Sequence, residues 1–289
     1  MPCRYGLLAH APRVNQREER RADGTRAASG VQPGHRMGYG VGVLVNDMER
    51  NGHWLFRYRN HLPLLLVPLM AIALRQSEGI ERRFGGVAEG VWEALCIAIT
   101  LAGFGIRCLV VGYSFPGASG RNSRAQQAVS LNTRGMYSIV RHPLYLGNFL
   151  MMVGAISLIE VWWLTLVAVL AFLLYYERII VAEEAFLANR FGSRYQEWAS
   201  VTPAFIPAIT RWQTPRVPFS WKRVLVRESP TFAQIVVVIT LIDFACDWAI
   251  RGRLERGDFL LAGAAVLSLL LYFAVRAIRK NTRWLSTAA

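Results

Sequence analysis

The chain has 289 residues; 53% are apolar, only 18% are charged, and nine are Trp. A soluble helical domain needs amphipathic stripes with polar faces, and the longest blocks here are apolar all round, which argues against one. A formal net charge of +14 would suggest nucleic acid in a soluble protein. No zinc-finger spacing, helix-turn-helix signature or stacking-aromatic motif supports that partner, so the charge reads as loops facing an acidic lipid surface.

In chain order, residues 1–47 are rich in Arg, Gly and Ala and show no periodicity or signal-peptide apolar run. They are expected to be disordered, or an upstream extension of a protein that starts at Met48. Six apolar segments follow, at about 62–74, 88–113, 144–159, 161–177, 231–250 and 258–277. The third and fourth sit near the lower length limit for a span, roughly 17 residues. Only Glu160 separates them, which predicts a tight helical hairpin. The expected fold is an all-α polytopic membrane protein with about six transmembrane helices and a cytoplasmic cofactor site. Residues 48–115 would hold the N-terminal helices, 116–212 the functional core with its hairpin, and 213–289 a C-terminal transmembrane hairpin and tail.

Loop charge sets the orientation. With a cytoplasmic N-terminus, 26 of the 33 Lys and Arg fall on the cytoplasmic side and six on the other, and Arg107 lies inside the second span. Both termini are then cytoplasmic, and the segments flanking the hairpin, 121–143 and 178–212, meet on that face. Those segments should fold over one another, with His142 and Glu183 within reach of one ligand. Cys3, Cys96, Cys108 and Cys246 form no CxxC pair, so neither a disulfide framework nor a structural zinc site is expected.

The stretch Thr133–Gly147 (TRGMYSIVRHPLYLG) is the least ordinary part of the chain. Pro143 stands where a helix should begin, because it lacks a donor that the first turn leaves unpaired. His142, preceding a proline, is biased away from helical geometry. Free N–H groups at such a helix end can hold an anion such as an amino-acid carboxylate, and Gly147 leaves room for a ligand or a neighbouring helix. Taken alone, the stretch also looks like a membrane-edge helix start with interfacial Arg and Tyr. The second stretch is Glu183–Trp198 (EEAFLANRFGSRYQEW), closed by Thr202–Pro207 (TPAFIP). Adjacent carboxylates at the exit of an apolar helix are costly unless exposed or paired. One of them can accept hydrogen bonds from ribose hydroxyls or a cationic amine. Arg178, at the same membrane edge, serves either substrate binding or snorkelling.

Together, RHPLYLG opening a hydrophobic hairpin, then EExxL, FGxxY and PxxxP, resemble the isoprenylcysteine carboxyl methyltransferase and phospholipid methyltransferase superfamily, over roughly residues 121–210. The resemblance implies an S-adenosyl-L-methionine-dependent methyltransferase. By position it implies cofactor binding by Leu131, Asn132, Tyr137, His142, Pro143, Leu144, Tyr145 and Glu183. It also implies an acceptor-binding arginine, for which Arg178 is the nearest residue. No metal site is expected. The wordings YSIVRHPLYLGN, YYER, AEE, WAxxTPAFIP and FSWKRVLxRE are similar to bacterial lipid A 1-phosphate O-methyltransferase-like members.

Methyl transfer from a sulfonium is an in-line displacement, for which the protein supplies alignment and exclusion of water. A phosphate or carboxylate acceptor needs no general base, whereas a thiol or amine would be helped by one. Around the expected site His142 is the sole histidine, while Arg134, Arg141, Arg178 and Arg194 are at hand. Bidentate arginines suit anionic oxygens, so Arg178, Arg141 and Arg194 are taken as acceptor-binding, with a lipid phosphate favoured. A prenylcysteine carboxylate, an amine phospholipid and a thiol are the alternatives; positive-inside bias alone would also place these arginines. Two other classes compete. An NADPH-dependent membrane sterol-type reductase shares RHPxY, and a non-catalytic membrane protein would line a path with mid-span charges, for which Arg107, Asp243 and Asp247 are the notable residues.

Overall fold

A helix needs about 20 residues to cross the hydrocarbon layer, and this requirement divides the apolar segments. The computed structural model describes residues 66–77, 79–115, 130–254 and 256–281; the expectations for residues 1–47 and for the loop 116–129 fall outside them. The helices are α1 (Val67–Ala73), α2 (Gly79–Phe84), α3 (Gly86–Gly112), α4 (Met136–Ile139), α5 (Pro143–Ser157), α6 (Trp162–Phe191), α7 (Ser193–Val201), α8 (Trp221–Arg251) and α9 (Arg256–Asn281). No strand occurs among the described residues. Helices α3, α6, α8 and α9 are long and apolar enough to cross a membrane, so the chain is an all-α, multi-pass membrane protein. The other two apolar segments are shorter where described: α5 has 15 residues, and α1 has seven before a 3₁₀ turn.

Helices α3 and α5 form the most extensive helix pair, and small residues make it possible. Cys96, Thr100, Gly103 and Val110 recur at helical spacing on one buried face of α3. A Cβ built on Gly103 would lie 2.5 Å from the Gly147 carbonyl oxygen, and one on Gly154 would lie 2.5 Å from that of Cys96. The two backbones touch, as small residues permit in apolar surroundings. Gly147 thus admits a neighbouring helix.

At one end of the bundle α5 turns into α6 through Leu158–Val161, burying Ile159, Val161 and Leu164 against Ala73, Ile156 and Ile242. Glu160 carries φ of 61° there, a conformation that costs an L-residue about 1–2 kcal/mol. Its carboxylate accepts from the Ile80 backbone N–H of α2 at 2.9 Å, and the Trp92 indole donates to the Ser157 carbonyl at 2.9 Å. Glu160→Ala removes the acceptor and keeps the strain, so the expected loss is about 1–3 kcal/mol in detergent unfolding. Glu160→Gly, which relieves the strain, should lose less.

At the opposite end α3 finishes against α8. Ser220 donates its backbone N–H to the Gly112 carbonyl at 3.0 Å, and the buried Arg223 guanidinium donates to the carbonyls of Gly112 and Ser114. The Gly112 carbonyl is one that the helix end leaves unpaired, and Ser114 follows just beyond it. Helix α9 packs on α8, with the Thr240 hydroxyl reaching the Leu261 carbonyl at 3.3 Å.

Candidate functional site

The site is built where α5 begins and α6 ends, with residues 135–142 and 198–213 crossing above. Arg141 N–H donates to the Pro203 carbonyl at 2.8 Å and His142 N–H to that of Ala204 at 3.3 Å. Ala208 N–H donates to the Ile139 carbonyl, and Gly135 N–H to that of Gln213, both at 2.9 Å. The Trp198 indole donates to the Tyr137 carbonyl at 3.0 Å, and Ser138 Oγ accepts from Gln213 N–H at 2.9 Å. Gly135 adopts φ of 62° and faces Pro215 at 3.2 Å from where a Cβ would sit, so glycine suits the crossing. The flanks of the hairpin therefore fold over one another as the tight turn requires. Met136, Ile139, Val140 and Leu146 pack with Val110 beneath them.

His142 has φ of −120° and ψ of 61°, the non-helical geometry expected ahead of Pro143, and is 6% exposed. Its ring lies between adjacent carboxylates of α6. Nε2 is 3.0 Å from Glu184 Oε1, which fixes the proton on Nε2 because an ionised carboxylate only accepts. Nδ1 is 3.7 Å from Glu183 Oε2. Arg141 Nε joins Glu184 Oε1 at 3.3 Å. Tyr145, in the first turn of α5, donates its hydroxyl to Glu183 Oε2 at 2.7 Å, and its ring stacks on His142 at 5.6 Å. Tyr195 of α7 is buried beside Glu184; desolvation and the carboxylate push its phenol up, so it stays protonated. Burial does the same to Tyr137.

The two carboxylates differ in the charge beside them. Glu184 meets both His142 and the Arg141 cation through Oε1 alone. Glu183 keeps Oε1 without a partner among the described residues and is one third exposed. A ligand with hydroxyls or a cationic amine fits Glu183 in that setting. The helix start is more closed than the bare sequence suggested. Pro143 has no donor, and the N–H groups of Tyr145 and Leu146 both return to the His142 carbonyl at 3.1 Å. Leu144 N–H is the first-turn donor left without an acceptor among the described residues.

The structure brings together His142, Pro143, Leu144, Tyr145, Tyr137, Arg141 and Glu183. Leu131 and Asn132 lie in the stretch leading to α4; the Asn132 amide oxygen accepts from Arg134 N–H at 3.2 Å, a local turn contact. Arg178 and Arg194 stand apart from the cluster. Both are exposed, on α6 and α7, with no ion pair among the described residues. Arg178 sits between the inward-facing Tyr176 and Ile179 on α6, a spacing that turns it outward.

Sequence reading missed a second polar group beneath the site. Arg107 Nε and Nη2 donate to the two oxygens of Glu228, each at 2.9 Å, and Nη1 donates to Asn148 Oδ1 at 2.7 Å. Asn148 Nδ2 donates to the Tyr176 hydroxyl at 3.3 Å. An arginine inside an apolar span requires a partner, and that requirement could have pointed to Glu228. Arg107 is thus paired inside the bundle. Asp247 instead pairs with Arg251 at 3.2 Å at the far end, where Arg251 also meets Glu81. Among the described residues no group of three His, Cys, Asp or Glu is arranged to hold a metal ion.

Fold and cluster together define a polytopic membrane protein with a polar side-chain cluster at the mouth of a glycine-packed helix pair. Residues 94–194, about a third of the chain, match the family described as phospholipid methyltransferase, in line with the superfamily that its motifs resemble. The chain is 35% identical over 127 residues to the cobalt-zinc-cadmium resistance protein CzcN of Cupriavidus metallidurans, covering 43% of this chain and 56% of that protein. It is 31% identical over 124 residues to the nickel-cobalt-cadmium resistance protein NccN of Alcaligenes xylosoxydans xylosoxydans (42% and 57%). It is 35% identical over 79 residues to the protein-S-isoprenylcysteine O-methyltransferase of Schizosaccharomyces pombe (27% and 34%). The chain spans little more than half the length of the first two and a third of the last. No solved structure gives a significant match.

Proposed function

We propose that the chain transfers a methyl group from S-adenosylmethionine to a membrane-embedded, anionic acceptor, a lipid phosphate of the lipid A type being the favoured one. The observation that carries this is the buried His142 ring held between Glu183 and Glu184 at the start of α5, inside the segment that matches methyltransferases. S-adenosylmethionine supplies an electrophilic methyl on a sulfonium when bound.

The chain's own residues do the rest. Glu183 offers its free oxygen to ribose hydroxyls or the methionyl amine, and Leu144 N–H offers a donor to the methionyl carboxylate. Leu131, Asn132, Tyr137, Pro143 and Tyr145 complete the expected lining. His142 serves by holding the carboxylates apart and in register, since its Nε2 proton is committed to Glu184. The crossing of residues 135–142 with 198–213 shields the helix start from water, which strengthens every polar contact beneath it. An anionic acceptor is already a nucleophile, so no side chain is asked to remove a proton. The exposed arginines Arg178 and Arg194, and Arg141 beside Glu184, suit its oxygens. The outward turn of Arg178 on α6 supports its meeting an acceptor that arrives from the lipid. In this reading the site and both termini face the cytoplasm of a bacterial inner membrane, against anionic lipid and with no role for nucleic acid.

Arg178→Ala should leave affinity for S-adenosylhomocysteine nearly unchanged, because its guanidinium lies outside the cluster. Turnover should fall by about tenfold, the effect of losing a charge-assisted bond to the acceptor. Calorimetry and methyl transfer on the same preparation measure the two. The proposal as a whole is tested by mass spectrometry of membrane lipids with and without the protein. A methyl added to a phosphate-bearing lipid supports it; a methylated amine or carboxylate replaces the acceptor, and unchanged lipids and proteins overturn it.

A further inference from the structure

The C-terminal pair α8 and α9 lies beyond residues 94–194, yet α8 reaches the heart of the bundle. Glu228 is 2% exposed and meets Arg107 through both of its oxygens, a geometry that locks the guanidinium plane. A pair of charges at that depth is costly to bury. A tether between α3 and α8 alone would not need a third partner. Arg107 nevertheless spends its remaining edge on Asn148 Oδ1, and this decides the orientation of the amide. Asn148 Nδ2 must then face Tyr176, whose hydroxyl accepts from it. The Tyr176 ring lies flat on Phe172 at 3.9 Å and edge-on to Tyr145 at 4.8 Å. Tyr145 is the side chain that holds Glu183. Gly147 keeps the route open, because a Cβ there would come within 2.8 Å of Arg107 Cγ.

We propose that Glu228 is a positioning residue for the candidate site: it fixes Arg107, which orients Asn148, which seats Tyr176 against Tyr145 and so sets Glu183. The inference rests on the cofactor reading given above. It assigns the C-terminal hairpin a part in ligand binding as well as in packing.

The test is a double-mutant cycle on full-length protein in detergent, with S-adenosylhomocysteine as the probe in calorimetry and the unfolding temperature recorded for each variant. Asn148→Ala breaks the chain while leaving the Arg107–Glu228 pair in place. It should weaken binding on the order of tenfold. Glu228→Gln should weaken binding similarly, and the two together should lose little more than either alone, although Glu228→Gln also lowers the unfolding temperature. If Asn148→Ala binds as wild type does, or the two losses multiply as independent effects, the proposal is overturned and Glu228 is a tether only. A wild-type protein that does not bind S-adenosylhomocysteine overturns this proposal together with the cofactor reading, whereas wild-type binding with an indifferent Asn148→Ala overturns this proposal alone.

Discussion

Gly103→Leu should abolish the fold of the site region. The Cβ it adds would lie 2.5 Å from the Gly147 carbonyl oxygen and 2.8 Å from the Met151 nitrogen. Both are backbone atoms of α5, so no side chain can swing aside. The helices must separate, which also pulls Arg107 from Asn148 one turn further along. Overpacking of this kind costs roughly 3 kcal/mol or more when backbone opposes it. Gly105→Ala on the same helix meets nothing within 4 Å. It should be neutral or stabilising by about 0.5–1 kcal/mol, the ordinary gain of Ala over Gly in a helix. Unfolding of both variants in one detergent measures the contrast. A Gly103→Leu protein as stable as Gly105→Ala would mean that α3 and α5 are not in backbone contact.

The second large effect concerns Glu183. Glu183→Ala removes the acceptor of the Tyr145 hydroxyl and the free carboxylate oxygen in one step. S-adenosylhomocysteine binding should weaken by about 1–3 kcal/mol, the cost of leaving charge-assisted partners unsatisfied, and methyl transfer should fall with it. Glu184→Ala should act differently. Its Oε1 meets both His142 and Arg141, so its loss frees the ring and the guanidinium and should reduce stability as well as binding. If Arg178→Ala lost cofactor affinity while Glu183→Ala kept it, the roles of the two residues would be exchanged.

That His142 and Glu183 come to one end of the bundle was readable from the chain because local rules bring them there, whereas Tyr145 entered through the family resemblance alone. A proline after a histidine marks a helix start, and a hairpin with almost no turn returns α6 to the same end. The apolar runs of α3, α6, α8 and α9 were readable for the same reason: length and composition decide them. The Arg107–Glu228 pair was not, because its members are 121 residues apart and no spacing rule joins them. The closing of the α5 start was missed because its competing acceptors, the carbonyls of Pro203, Ala204 and His142, carry no side-chain signature. Arg178 and Arg194 were grouped with Arg141 by proximity in sequence, whereas helical phase turns Arg178 outward and leaves only Arg141 on the cluster.

Thermal unfolding of the purified full-length protein with S-adenosylhomocysteine and, separately, with NADPH tests the cofactor class most directly. A ligand at 100 times its Kd stabilises the folded state by about 2.7 kcal/mol. Stabilisation by S-adenosylhomocysteine, lost in Glu183→Ala, with no response to NADPH, is the expected result. Stabilisation by NADPH alone, or by neither compound, contradicts it.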